Sequence, residues 1–294
     1  MAPDVSILRR LQALDCWQGP ITVEPLPGGI TNRNYLVRDA RTTRVARLGA
    51  ERTLLGIDRR NEVACQRAAW ACGVGPAVVH HEDGLLISEH LPGRTLTRAE
   101  VADPAVLAAL AAALRRLHGA WDRLAGEMLY FCVFQVVRTY GPTAARLGAR
   151  LPADVAGLLE DARRLAHRVA PFRPVLCHND LLAANLIFDG VAVRLVDWEY
   201  AGMGHPLFDL ANAAAGAALP EERDIALLAA YRGAVDPREL AELRLLKAMS
   251  LLREALWAAI QSVVSELDFD YLSYAEENFL AYRRARAQLE MPAG

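Results

Sequence analysis

Apolar and polar residues follow one rhythm in the first third of the chain and another in the rest. ITVEPL, YLVRD and RVARL, within residues 21–48, read as strands around the small and polar PGGITNRN, a hairpin whose turn carries two adjacent glycines. RNEVACQRAAWAC at 60–72 has apolar positions at helical spacing, and Gly73 follows as a C-terminal stop. LLIS at 85–88 reads as a buried strand. Helical signals then take over. Thr97-Arg98-Ala99-Glu100 fits a capping box, and Asp103-Pro104 sets an N-cap and first-turn proline for a helix to about His118. Further helices are expected around 154–169, 221–232, 237–264 and 270–288, with one hairpin at 186–197. The expected class is α+β: a small strand-rich lobe before a larger helical one, joined near residues 88–93.

Composition narrows the classes. At 294 residues and 53% hydrophobic, the chain can bury proper cores without staples. Its cysteines, Cys16, Cys65, Cys72, Cys132 and Cys177, form no CxxC pair and no zinc spacing, which suits a reducing cytoplasm. The longest apolar run, Ala105 to Leu114, is about half the roughly 20 residues a bilayer span needs, so no membrane role is expected. With 33 basic against 35 acidic residues, no net field attracts nucleic acid.

The chemistry concentrates at 175–200, VLCHNDLLAANLIFDGVAVRLVDWEY. His178, Asn179, Asp180 and Asn185 share a short loop after an apolar strand and before the hairpin, whose turn is expected at Asp189-Gly190 as a two-residue type I′ turn. Counting back from it pairs Asn185 with Arg194 and leaves Asp197 overhanging by about three residues, or about 10 Å. Phosphoryl transfer needs little covalent chemistry from a protein; it needs groups positioned and phosphate charge neutralised. Magnesium takes hard oxygen ligands and keeps waters, so the carboxylate of Asp197 and the amide oxygen of Asn185 suffice. Asp180 can then accept the proton of an incoming hydroxyl.

HNDLLAAN followed by VDWEYAGMGHPLFDLAN resembles the choline/ethanolamine kinase family within the aminoglycoside-phosphotransferase and protein-kinase-like superfamily. GGITNRNY, RVARL, NEVACQRAAWACGVGP and ISEHLPGRTL fall in the family's order, and LWAAIQSVVSELDFDYLSYAEENF resembles its C-terminal substrate segment. The resemblance implies a protein-kinase-like two-lobed fold, with an antiparallel-sheet nucleotide-binding lobe over 1–88 and a mainly helical lobe over 89–294 that holds the catalytic loop and substrate site. It implies ATP and Mg2+ as cofactors, Asp180 as base, and Asn185 and Asp197 as metal ligands. Arg47 then sits on the ATP phosphates, with Glu62 as its ion-pair partner. Gly28 and Gly29 bring backbone N–H groups to the phosphates, Thr31, Asn32 and Asn34 add polar contacts, and Ser88, Glu89 and His90 form the hinge against adenine. His178 is expected to hold the loop rather than act as acid or base.

For the substrate, Trp257, Phe269 and Tyr274 match aromatic positions of the family's choline site, and Glu199 and Tyr200 match its WEY segment. Aromatic faces hold a quaternary ammonium, whereas a primary ammonium needs hydrogen-bond acceptors. The plainer reading of Trp257 and Tyr274 is as apolar-face residues of amphipathic helices. The expectation is a kinase for a small amino alcohol, choline first and ethanolamine second. An aminoglycoside or thiamine kinase is the alternative, and an idle nucleotide-binding scaffold is disfavoured by the joint presence of Asp180, Asn185 and Asp197.

Overall fold

The computed structural model describes residues 5–26, 32–49 and 53–289. Helix α1 (Val5–Gln12) precedes strands β1 (Thr22–Leu26), β2 (Arg33–Arg38) and β3 (Thr43–Leu48); helix α2 (Arg59–Ala71) then leads to β4 (Val78–Glu82) and β5 (Leu85–Glu89). The strands form one antiparallel sheet in the order β1-β2-β3-β5-β4. Its register explains both faces. Tyr35, Ala46 and Ile87 fall in one row and pack with Val37, Leu85 and Leu11 of α1 into a small core. Because side chains alternate across a strand, the neighbouring rows, Asn34–Arg47–Leu86 and Leu36–Val45–Ser88, point to the opposite side.

The rest of the chain comprises β6 (Arg94–Thr95), α3 (Arg98–Val101), α4 (Pro104–His118), α5 (Val133–Arg146), α6 (Val155–Ala166), β7 (Val175–Cys177), β8 (Leu186–Phe188), β9 (Val193–Leu195), β10 (Gly202–Gly204), α7 (Pro206–Gly216), α8 (Glu221–Arg232), α9 (Pro237–Val264) and α10 (Tyr271–Gln288). The Thr97–Glu100 capping box forms and starts the short α3, and Asp103 caps α4 through the Ala105 amide. Helix α9 is the spine of the larger core and packs against α5, α7 and α10. No helix among the described residues is long and apolar enough to cross a membrane.

Helices α1, α5 and α7 are absent from the expectations above. Helix α5 carries Gly141 and Pro142, which disguise it, and nearly every position of α7 is buried, which erases the amphipathic period. The hairpin register also needs correction. Ile187, not Asn185, pairs with Arg194, and Asp189 bonds Ala192, so the central turn residues are Gly190 and Val191. Gly190 has φ of 98° and Val191 keeps a negative φ, which rules out a type I′ turn and suits the glycine-first type II′. The Val196 amide consequently bonds the Asn185 carbonyl at 3.0 Å, and Asp197 lies only one residue past it. The expected gap of about 10 Å shrinks to one residue step, about 3 Å.

Candidate active site

The loop between β7 and β8 is held from beneath by α7. Asp209 accepts hydrogen bonds from the His178 amide at 2.9 Å and the Asn179 amide at 2.7 Å, and Asn212 accepts from the Leu181 amide. This anchoring keeps Asn179 in the left-handed region at φ of 64°, where its side chain donates to the Tyr200 carbonyl. His178 is fully buried against Trp198 and is bonded to the Val196 carbonyl at 3.0 Å, while its other ring nitrogen accepts the Asp180 amide. Burial pushes its pKa down. Both nitrogens are committed, which gives His178 a structural part.

Asp180 and Asn185 meet across the loop. The Asn185 amide group donates to the Asp180 carbonyl at 2.8 Å and approaches its carboxylate at 3.4 Å, which leaves the amide oxygen of Asn185 for another partner. Asp197, also in the left-handed region at φ of 66°, joins Asn185 on the wall of a cavity of about 250 Å3 beneath the sheet. The sheet rows facing it supply Asn34, Arg47, Val45 and Ser88, and Glu89 and His90 line it as well. The Asn34 side-chain oxygen is buried there without a partner. Gly28, Gly29 and Thr31 lie outside the described residues.

A charged seam closes one side of the cavity. Arg47 pairs with Glu62 of α2 and with Asp197 at 2.9 Å. Arg59 bridges Glu62 at 2.9 Å and Glu199 at 3.2 Å, and Asn32 donates to Glu199 at 2.9 Å. Burial works against the Arg47 charge, but Glu62, then Asp197 and Glu199, outweigh it and raise its pKa. Burial first and Glu199 second push Asp197 up to about 8. Three carboxylates against two guanidiniums leave one negative charge in excess. A hard cation held by the Asp197 carboxylate and the Asn185 amide oxygen would balance it, so the donor set fits magnesium.

A family model, the phosphotransferase enzyme family, matches residues 22–246. Human ethanolamine kinase 2 is 30% identical over 297 residues, covering 90% of this chain and 76% of that protein. The chain belongs to the choline/ethanolamine kinase family. A solved choline/ethanolamine kinase family protein from Mesorhizobium loti superposes with a TM-score of 0.80 at 27% identity, covering 98% of this chain and 95% of the other. A spectinomycin phosphotransferase solved with ADP and spectinomycin shares the fold alone, at a TM-score of 0.64 and 13% identity, covering 96% and 98% of the two chains. As a member of this kinase family, the chain is a small-molecule kinase that uses ATP, on the protein-kinase-like α+β fold.

On the far side of Asp180, this kinase has a feature its motifs do not reveal. Arg253 of α9, 1% exposed, donates to Asp180 at 2.9 Å and to Glu254 at 3.0 Å, and lies 4.4 Å over the Tyr200 ring. Glu254 also accepts from the Tyr274 hydroxyl at 3.0 Å; burial raises its pKa against the pull of Arg253. Tyr200 accepts from Trp257 at 2.9 Å, and Trp257, Tyr271, Phe269 and Tyr274 follow one another in edge-on contacts. The aromatic residues singled out in the sequence are therefore gathered in one place. Glu199 is not among their partners: its carboxylate faces Asn32, Arg47 and Arg59. Arg253, Glu254, Tyr271, Arg59, Asp209 and Asn212 escaped the sequence reading. The available signal was Arg253-Glu254 itself, two adjacent charges inside the apolar stretch LLREALWAAI.

Proposed function

We propose that this kinase transfers the γ-phosphoryl group of magnesium-bound ATP to the hydroxyl of a small amino alcohol with a primary ammonium, ethanolamine ahead of choline. The observation that carries the reading is the Asp180–Arg253–Glu254–Tyr274 chain. Asp180 and Glu254 are two buried carboxylates served by one guanidinium, so a monocation restores neutrality beside the base. Glu254 and the Tyr274 hydroxyl supply the acceptors that a primary ammonium requires and a quaternary one cannot use. The aromatic faces that would suit choline are engaged elsewhere: Arg253 covers Tyr200, and Trp257 and Tyr271 are 3% and 4% exposed. Phe269, 38% exposed, is the ring still open.

In this reading Asp180 takes the hydroxyl proton, Arg253 fixes its carboxylate from behind, and Arg47 steadies the phosphates and Asp197. Asn185 and Asp197 hold the magnesium, which neutralises phosphate charge when bound. Ser88, Glu89 and His90, on the wall of the same cavity, would face the adenine. The test is ADP release with ethanolamine, choline, thiamine and kanamycin, for the native chain and Glu254→Gln. Expected are a higher kcat/KM for ethanolamine than for choline and a loss of at least tenfold for ethanolamine in the variant. A native preference for choline would return the site to an aromatic cage, and turnover of kanamycin alone would discard the amino-alcohol reading.

A further inference from the structure

The helical lobe carries a second cavity, of about 1000 Å3, away from the residues that serve catalysis. Its wall is basic: Arg115, Arg168, Arg173, Arg232 and Arg238 line it, against Glu239 and Glu242. Both acids are already engaged. Glu239 pairs with Arg232 at 2.7 Å, and Glu242 accepts the Ala170 amide at 2.9 Å. Among the described residues, Arg168 and Arg238 have no carboxylate partner, and Arg115 spends itself on the Ala230 carbonyl. The amino end of α7, capped by the neutral His205 ring, also lines this cavity, and helix amino ends favour anions.

A second observation comes from His205, which caps α7 and lines the same wall. Its Nδ1 accepts the Leu207 amide at 3.1 Å, so the neutral ring carries its proton on Nε2. That nitrogen is buried without a hydrogen-bond partner, on a side chain 9% exposed. The Glu242 carboxylate oxygen that accepts the Ala170 amide stands 3.4 Å away, a long and weak contact for the Nε2 proton. A donor served only by this long contact, among guanidiniums without carboxylate partners, suits an acceptor that brings negative charge.

The same wall touches the catalytic loop through one side chain. His118 lines the cavity beside Tyr231, bonds its hydroxyl at 2.7 Å, and reaches Asp209 at 3.0 Å with its other nitrogen. Asp209 in turn holds the His178 and Asn179 amides, immediately before Asp180. We propose that this cavity is a binding site for a phosphate-class oxyanion, inorganic phosphate or a small phosphomonoester, and that its occupancy acts on the catalytic loop through His118 and Asp209. Arginine forks match the geometry of phosphate oxygens, and His205 supplies a neutral donor between them.

The experiment is calorimetric titration of the full chain with inorganic phosphate and, separately, with glycerol 3-phosphate, an ester that carries no ammonium for the amino-alcohol site. Saturating Mg-ADP blocks the ATP cleft, and chloride keeps ionic strength constant. Saturable binding of either anion is expected, weakened at least tenfold in the Arg168→Ala/Arg238→Ala double variant, whose melting temperature reports an intact fold. Tighter binding of the ester would identify a phosphomonoester as the ligand, and equal affinity would identify the phosphate group alone. No saturable heat from either anion, or equal affinity in the double variant, would overturn the site. Turnover measured against added phosphate tests the link: a change in kcat in the native chain that the double variant lacks is expected, and an unchanged kcat in the native chain would refute it.

Discussion

Asp180 sits where two influences converge: Asn185 across the loop and the guanidinium of Arg253 behind it. A carboxylate pinned by one oxygen to a buried arginine cannot swing away, and its other oxygen, 3.4 Å from the Asn185 amide, is the one left for the proposed proton transfer. General-base catalysis contributes roughly 10²–10⁴-fold, so Asp180→Asn should lower kcat by at least about 100-fold. In the proposed reading the nucleotide lies on the other side of Asn185, against groups the substitution leaves alone. Affinity for Mg-ATP, read by calorimetry, is therefore expected to stay within about twofold. A variant that keeps the native kcat would remove Asp180 from the chemistry, and one that loses nucleotide affinity in step with kcat would make its part structural.

At the scale of elements, α7 is the platform of the site. Its Asp209 and Asn212 together accept the amides of His178, Asn179 and Leu181, so the loop that carries Asp180 borrows its shape from a helix some thirty positions further along the chain. Asp209→Asn would turn an amide toward one of two buried N–H groups and orphan it, at a cost of about 1–3 kcal/mol. Urea unfolding should register that loss, and kcat should fall while the KM for ATP holds. Native kcat in a destabilised Asp209→Asn would show that the loop keeps its form without α7. The same architecture explains what the sequence could disclose. Asp180, Asn185 and Asp197 stood out because their chemistry is crowded into one stretch, and strands β1, β2, β3 and β5 were legible from their turns and apolar runs, whereas the edge strand β4, largely exposed, was not. Asp209, Asn212, Arg253 and Glu254 were not, since they sit in helices buried on nearly all sides, where periodicity carries no signal and partners come from distant parts of the chain. The Gly190–Val191 turn misled for a different reason: Asp-Gly is a good turn dipeptide in either frame, and a shift of one place at the turn moves the register by two.

Across the whole molecule, the seam between the two cores is electrostatic rather than apolar. Arg47 and Asn32 come from the sheet side, Arg59 and Glu62 from α2, and Asp197 and Glu199 from the helical side. Its excess carboxylate makes the cation-free protein sensitive to pH in a defined direction. Folding raises Asp197 to about 8, from an ordinary value of about 3.9 in the unfolded chain. Between those values the folded state binds more protons than the unfolded one, so this group's contribution to stability is full below about pH 4 and is lost as pH rises through about 8. Asp197→Asn cannot titrate and lacks that slope. Melting curves of both proteins without divalent cations, from about pH 5 to about pH 8, should therefore show the native chain losing stability relative to the variant as pH increases. Magnesium with ADP should restore the native chain at the upper end, because a ligand that binds only the folded state adds stability and takes the place of the proton on Asp197. The variant, short of that ligand, should gain less. Parallel profiles for the two proteins would mean that Arg47 alone keeps Asp197 ionised, and that the seam carries no surplus for a metal to balance.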